Sequence, residues 1–264
     1  MFRVQGEKEM MKANTLEWYR HNYNGFMDHL RIIKPWIDGK NVLDIGSGEG
    51  NSLLVMQQVA KSVRGIDPWF WMDDEKMKIW KEHCKRVSQP HNIAMFPMAI
   101  GEGQRSLAMF HGKMDVVTSF ATFEHLKNPR LAVQEITKIL KPGGTFIMFS
   151  SPLYYSRRGG HLYHFFDTEG AWEHLRYSAK EIRQEYELEG GIEKDGGYYW
   201  ELYKTLNGMT VNEFKAYVEP FFYEEMCKVS TDITNDFRSF PELAKKYPEN
   251  LLRETGIKWI GKLR

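Results

Sequence analysis

Two cysteines among 264 residues, Cys84 and Cys227, are too few and too far apart for a disulfide framework or a cysteine-built metal site. No uncharged run of 18 residues occurs, so no membrane-spanning helix is expected. The opening residues, Met-Phe-Arg-Val-Gln-Gly-Glu-Lys-Glu, lack the apolar core of a secretory signal. Charge of one sign is also missing. With 36 basic and 35 acidic residues the formal net charge is +1, which gives no general attraction to nucleic acid. Internal repeats and low-complexity tracts are absent. These absences together predict a cytoplasmic, reducing setting. What is abundant is apolar surface: 42% of the chain, enough for the core of one α/β domain carrying an insertion or a small cap.

The most informative stretch runs Val42-Leu43-Asp44-Ile45-Gly46-Ser47-Gly48-Glu49-Gly50, an apolar strand entering a glycine-rich turn. Glycines there let the main chain approach a ligand where a Cβ would clash. About twenty residues on, Val63-Arg64-Gly65-Ile66-Asp67 reads as a second strand ending in a carboxylate suited to two ribose hydroxyls. A nucleoside-containing cofactor follows. The dinucleotide fingerprint would need a small residue at position 51, which is Asn51, and no Lys-Ser or Lys-Thr pair follows the glycines as a P-loop requires.

Periodicity supplies the frame. Leu16, Tyr19, Tyr23, Phe26, Met27 and Leu30 recur at helical spacing, and Pro35 is expected to end that helix. Strands are predicted at 41–44, 62–67, 93–96, 114–119 and 145–150, with helices after the glycine loop through Val59, over 73–86 and over 128–140. The alternation predicts a doubly wound, mostly parallel α/β sheet of seven strands, with ligands at the strands' C-terminal ends. From Ser151 to Met209 the rhythm breaks and 12 of 59 residues are aromatic. A helix over 210–219 resumes the pattern. Strands over 221–229 and 256–263, joined by a long loop, read as a terminal antiparallel pair. The expected organisation is an N-terminal helical segment (1–40), a core (41–150 and 210–264) and an inserted cap (151–209).

The fourth strand continues as Asp115-Val116-Val117-Thr118-Ser119-Phe120-Ala121-Thr122-Phe123-Glu124-His125-Leu126, and the next helix is followed by Leu140-Lys141-Pro142-Gly143-Gly144. With the Asp-x-Gly-x-Gly-x-Gly turn and Asp67, these stand in the order of the motifs of class I S-adenosylmethionine-dependent methyltransferases. The resemblance covers about residues 40 to 150 and is to the small-molecule branch. It implies that Asp44 orients the glycine loop and reaches toward the methionine amine. Gly46, Ser47 and Gly48 would press backbone against the amino-acid tail, and Asp67 would hold the ribose. Gly50, Pro68, Ser119 and Phe120 complete the implied cofactor set. Where the family commonly places a carboxylate for the adenine amine, this chain has Met98-Ala99, so packing and backbone contacts are expected instead.

Three histidines are candidates for a general base: His161 and His164 in the cap, then His125. Arg157 and Arg158 are candidates to hold an anionic group on the acceptor. Metal-dependent relatives carry Glu-x-x-Glu-His at the end of the fourth strand. Here Ala121 replaces the first Glu, so no metal is expected. The resemblance implies methyl transfer to a small molecule, with oxygen preferred as acceptor atom and nitrogen the alternative; a non-catalytic cofactor-binding protein is the rival. A nucleic-acid substrate is not expected, because Ser119-Phe120-Ala121-Thr122 stands where an Asn/Asp-Pro-Pro-Tyr/Phe motif would.

Overall fold

The computed structural model of the chain describes residues 16–68, 78, 82, 93–162, 171–234 and 236–264. Among them lie seven strands: β1 (Asn41–Ile45), β2 (Ser62–Ile66), β3 (Ile93–Phe96), β4 (Met114–Phe120), β5 (Leu140–Ser150), β6 (Phe222–Thr231) and β7 (Glu254–Leu263). They form one sheet in the order β3-β2-β1-β4-β5-β7-β6. The first five run parallel, and β7 is antiparallel to both β5 and β6. This is the doubly wound, mostly parallel sheet expected from the sequence. Its central strands are buried on both faces, which is why β1 and β4 read as near-continuous apolar runs. Strand order reverses between β1 and β4, and such a reversal opens a crevice at the strands' C-terminal ends.

Helices cover both faces. On one side α1 (Leu16–Ile37) packs with α2 (Asn51–Met56) over Val42, Val63, Val116, Ile147 and Ile260. Pro35 does not end α1, contrary to expectation; it sits inside the last turn. An internal proline costs about 3 kcal/mol, whereas burying one isoleucine returns about 1.5–3 kcal/mol. Ile33 and Ile37 are both buried in the core, so the turn persists. The helix after the glycine loop is shorter than expected, ending at Met56 in a turn. The expected helix over 73–86 lies outside the described residues apart from Lys78 and Glu82, both helical.

On the other side lie α3 (Pro129–Ile139) and, later, α8 (Val211–Val218). Asn128 caps α3 by accepting from the Leu131 N–H at 3.0 Å, and Pro129 pre-sets its first turn. The buried Glu135 of α3 accepts from the Gly101 and Gly103 N–H groups at 2.6 and 2.9 Å, pinning the connection after β3. Thr210 and Glu213 close a capping box on α8. Helix α3 ends at Ile139, just before Lys141-Pro142-Gly143-Gly144, and the fifth strand starts earlier than expected: β5 begins at Leu140 opposite Met114, with a register shift, and takes in those residues.

Segment 151–209 carries α4 (Glu173–Arg176), α5 (Ala179–Leu188), α6 (Gly191–Asp195) and α7 (Tyr198–Thr205). The expected loop between β6 and β7 is partly helical, with α9 (Pro241–Lys246) and α10 (Glu249–Arg253). It packs against that segment: Ala171, Trp172 and Leu175 share one apolar cluster with Phe237, Leu243 and Leu252. Among the described residues no helix is long and apolar enough to cross a membrane.

Candidate functional site

The β1–α2 loop and the β4–α3 loop face each other across the strand reversal. Gly46 has φ +69, and a Cβ there would lie 2.1 Å from Thr122 Oγ1 and 2.3 Å from its Cγ2. The Gly46 and Ser47 N–H groups both donate to the Ile66 carbonyl, at 2.8 and 3.2 Å, which ties the loop to the end of β2. Gly48, at φ +49, differs: a Cβ there would meet nothing within 4 Å, so its open side faces free space. Its N–H donates to Asp67 Oδ2 at 2.9 Å, joining the second acidic position to the loop. Gly50, in the left-handed region, opens α2.

Asp44 is wholly buried. Ser52 Oγ donates to one carboxyl oxygen and Thr118 Oγ1 to the other at 2.6 Å, so α2 and β4 are laced to β1 beneath the loop. Burial pushes its pKa up to about 7 against the pull of both hydroxyls, with the Asp67 charge adding to the rise. With each oxygen engaged by the protein, Asp44 orients the loop from below. Asp67 is half-buried and Pro68 exposed at the end of β2. Met98 packs half-buried against the core, and the Ala99 N–H donates to Gln104 Oε1 at 3.2 Å. Ser119 is buried, with Oγ donating to the Ile45 carbonyl at 3.3 Å, and Phe120 stacks on the ring of His29 in α1. Ser47 Oγ and Asn51 Oδ1, on either side of Gly48-Glu49-Gly50 in sequence, are buried without a hydrogen-bond partner.

Past β4, a short 3₁₀ turn (Phe123–His125) carries the second cluster. Glu124 is buried; Ser150 Oγ donates to its Oε2 at 2.7 Å, and its Oε1 has no partner. Burial raises its pKa to about 7. His125 Nδ1 lies 2.8 Å from Thr205 Oγ1, whose own hydrogen goes to the Leu202 carbonyl at 2.7 Å. Nδ1 of His125 is therefore the donor, and its Nε2 keeps a lone pair. His161 Nε2–H donates to the Pro152 carbonyl at 3.3 Å, leaving Nδ1 as the acceptor. The two imidazoles meet edge to face with centroids 5.0 Å apart. Burial drives His125 down to about 3 and lowers His161 as well, so both are neutral at pH 7.

One ligand atom from each of Glu124, His125 and His161 lies within 4.8 Å of the others. The sequence offered His161 as a base and set metal aside on the loss of a carboxylate at Ala121, with His161 or His164 the first candidate to complete the sphere of Glu124 and His125 should an ion bind; the structure brings His161 to that pair. Backbone strain marks the same region. Ala121 (φ 48), His161 (φ 61) and Trp172 (φ 59) are the positive-φ non-glycine residues among those described. Each costs about 1–3 kcal/mol and persists because its surroundings enforce it. Trp172 opens α4, which delivers two residues the sequence reading passed over. His174 Nε2 donates to the Tyr154 carbonyl and Glu173 has one buried unpartnered oxygen; both line a small cavity with His161, Arg158, Leu162 and Ile182. Their only sequence signal was an acidic-histidine pair opening a short helix. Arg157 is paired with Asp236 of the β6–β7 connection. His164 lies outside the described residues.

A mostly parallel seven-stranded sheet with its strand order reversed between β1 and β4 and helices on both faces is the class I methyltransferase fold. Residues 19–190 match the methyltransferase domain family, and the chain belongs to it. Its relatives place it with the S-adenosylmethionine-dependent members. The ubiquinone biosynthesis O-methyltransferase of Shewanella halifaxensis is 31% identical over 132 residues, covering 50% of this chain and 52% of that protein. The chain thus spans about half the length of the curated relatives it matches. Among solved structures, the S-adenosylmethionine-dependent methyltransferase of Mesorhizobium loti superposes with TM-score 0.51 at 13% identity, covering 94% of this chain and 98% of that one. The [4+2]-cyclase SpnF also reaches TM-score 0.51 at 13% identity, covering 90% and 80%. These two likenesses speak for the fold alone.

Proposed function

We propose that the chain transfers a methyl group from S-adenosylmethionine to a hydroxyl oxygen of a small molecule. The single observation that carries the reading is the placement of Glu124, His125 and His161, with two imidazole lone pairs and an unmet carboxyl oxygen, just past the β4 end of the cofactor crevice. The oxygen preference agrees with the name of the Shewanella relative. The residues fit the cofactor: Gly48 leaves room for close approach, Ser47 Oγ and Asn51 Oδ1 are unmet, and Asp67 presents a carboxylate beside the loop.

Bound there, S-adenosylmethionine supplies an electrophilic methyl whose departing sulfur leaves as a neutral thioether. No acid is then needed. This chain's task is to position the acceptor, exclude water and take one proton. With the cofactor bound, His161 Nδ1 would accept the proton of the acceptor hydroxyl as that oxygen takes the methyl group. His125 stands edge-on to His161, and the segment from 151 to 209 forms the cap over the acceptor. Arg157 is paired with Asp236, and Arg158 lines the small cavity beside His161. Methyl-labelled S-adenosylmethionine with a pool of small hydroxylated acceptors tests this, product NMR distinguishing O-methyl from N-methyl. His161→Ala should lower kcat about 10²- to 10⁴-fold with S-adenosylhomocysteine affinity unchanged. Wild-type turnover in the folded variant would end the role of His161.

A second reading is favoured by the same convergence. Glu124, His125 and His161 could hold a divalent ion that orients the acceptor oxygens, which replaces the expectation of no metal with a direct question. The base reading predicts full activity after EDTA. Activity lost on chelation and restored by Mg²⁺ or Mn²⁺ selects the ion.

A further inference from the structure

His29 has no part in the chemistry above, yet it is the most unusual residue of α1. Its ring stacks on Phe120 at the end of β4, with centroids 5.2 Å apart and planes 20° from parallel. Phe149 of β5 meets it edge-on at 5.2 Å, and Phe26, one turn earlier on α1, closes the group at 5.7 Å from both His29 and Phe120. Four rings from three elements thus fasten the helix over the C-terminal ends of β4 and β5. The His29 Nδ1 is buried and has no hydrogen-bond partner. A histidine used simply to fill space would be expected to satisfy that nitrogen.

The charges around it oppose a proton. From β7, Lys258 reaches the same cluster, with Nζ 5.4 Å from the Phe149 ring centroid. Lys228 of β6 is paired in register with Lys258. On α1 the neighbouring carboxylate, Asp28, is exposed and engaged by Arg31 at 2.6 Å. β4 and β5 contribute only the phenyl rings of Phe120 and Phe149.

We infer that His29 is a positioning residue: stacked in its neutral form on Phe120, it seats α1 against the end of β4 and fixes the wall that Phe120 lends to the cofactor site. The inference rests on the reading of the β1–β4 crevice as that site. It has a consequence in pH. Burial, with Lys258 adding, lowers His29 to about 4 against an ordinary value of 6.5, while Asp28 pulls weakly the other way. A proton is bound more readily when the ring is released, so α1 docking weakens as pH falls from about 6.5 toward 4.

The test uses the full chain with S-adenosylhomocysteine as probe, read by calorimetry, and amide hydrogen exchange over 16–37. An aromatic contact of this kind is worth about two- to tenfold in an equilibrium. His29→Ala should therefore weaken the probe by several-fold and speed α1 exchange, and His29→Phe should restore both. Between pH 7 and 5, wild-type α1 should lose protection that His29→Phe retains. If His29→Ala is too unstable to purify, Phe120→Leu removes the stack from the β4 side and should give the same two losses. Unchanged affinity in His29→Ala or Phe120→Leu, failure of His29→Phe to restore it, or equal pH responses would overturn the inference. Asp67→Ala keeps the two claims apart: if it leaves binding intact, the cofactor-site reading itself has failed.

Discussion

Replacing Gly46 with alanine is the sharpest perturbation of the crevice, because the structure specifies two independent penalties. The backbone there has φ +69, in the left-handed region, where an L-side chain costs about 1–2 kcal/mol. The added methyl would also lie 2.1, 2.3 and 2.7 Å from Thr122 Oγ1, Cγ2 and Cβ, so one of the facing loops must move. Overpacking of this kind costs about 1–3 kcal/mol. Together the loss is roughly 2–5 kcal/mol, which for a chain of this size lowers Tm by about 5–15 °C. Urea unfolding and differential scanning fluorimetry read it directly. Thr122→Ala in the same chain removes Oγ1 and Cγ2 but keeps the 2.7 Å Cβ contact and the strained φ, so the double variant should recover only part of the loss. Gly46→Ala with wild-type stability, or full rescue by Thr122→Ala, would refute the packing of the two loops.

Two further perturbations test the supports beneath the site. Asp44 is raised to about 7, so its contribution is complete below the ordinary value of 3.8 and is lost as pH rises through about 7. Asp44→Asn should therefore flatten the fall in unfolding free energy between pH 5 and pH 8, measured by urea titration at each; a slope equal to wild type would contradict the burial argument. Glu135→Gln keeps one acceptor for two glycine N–H groups and should cost about 1–3 kcal/mol, with faster exchange at Gly101 and Gly103. No change in that exchange would mean that Glu135 does not hold the connection.

Much of the fold was legible because parallel strands buried on both faces leave continuous apolar runs. Val42–Ile45 and Val116–Phe120 could hardly be anything else, and the glycines and Asp67 mark where such strands end. The antiparallel β6–β7 pair was visible in the alternation of its last residues. Pro35 misled because a local rule was applied where tertiary burial of Ile33 and Ile37 outweighs one lost hydrogen bond. The helical β6–β7 connection was read as a loop: α9 and α10 are short, and their apolar residues make sense only against Trp172 and Leu175. The site divided in the same way. Its loop residues lie in contiguous motifs, whereas His161 meets His125 across 36 positions of sequence, His29 meets Phe120 across 91, and neither pairing leaves a periodic trace.

The central claim is a cofactor site built by the glycine loop and Asp67, and calorimetric titration of S-adenosylhomocysteine into wild type and Asp67→Ala tests it most directly. Hydrogen bonds to a charged acceptor are worth about 1.5–3 kcal/mol, so the account predicts one-site binding to wild type weakened about tenfold or more by the substitution. NAD and ATP should give no comparable heat. Equal affinity in the two proteins, or NAD binding as tightly as S-adenosylhomocysteine, would contradict it.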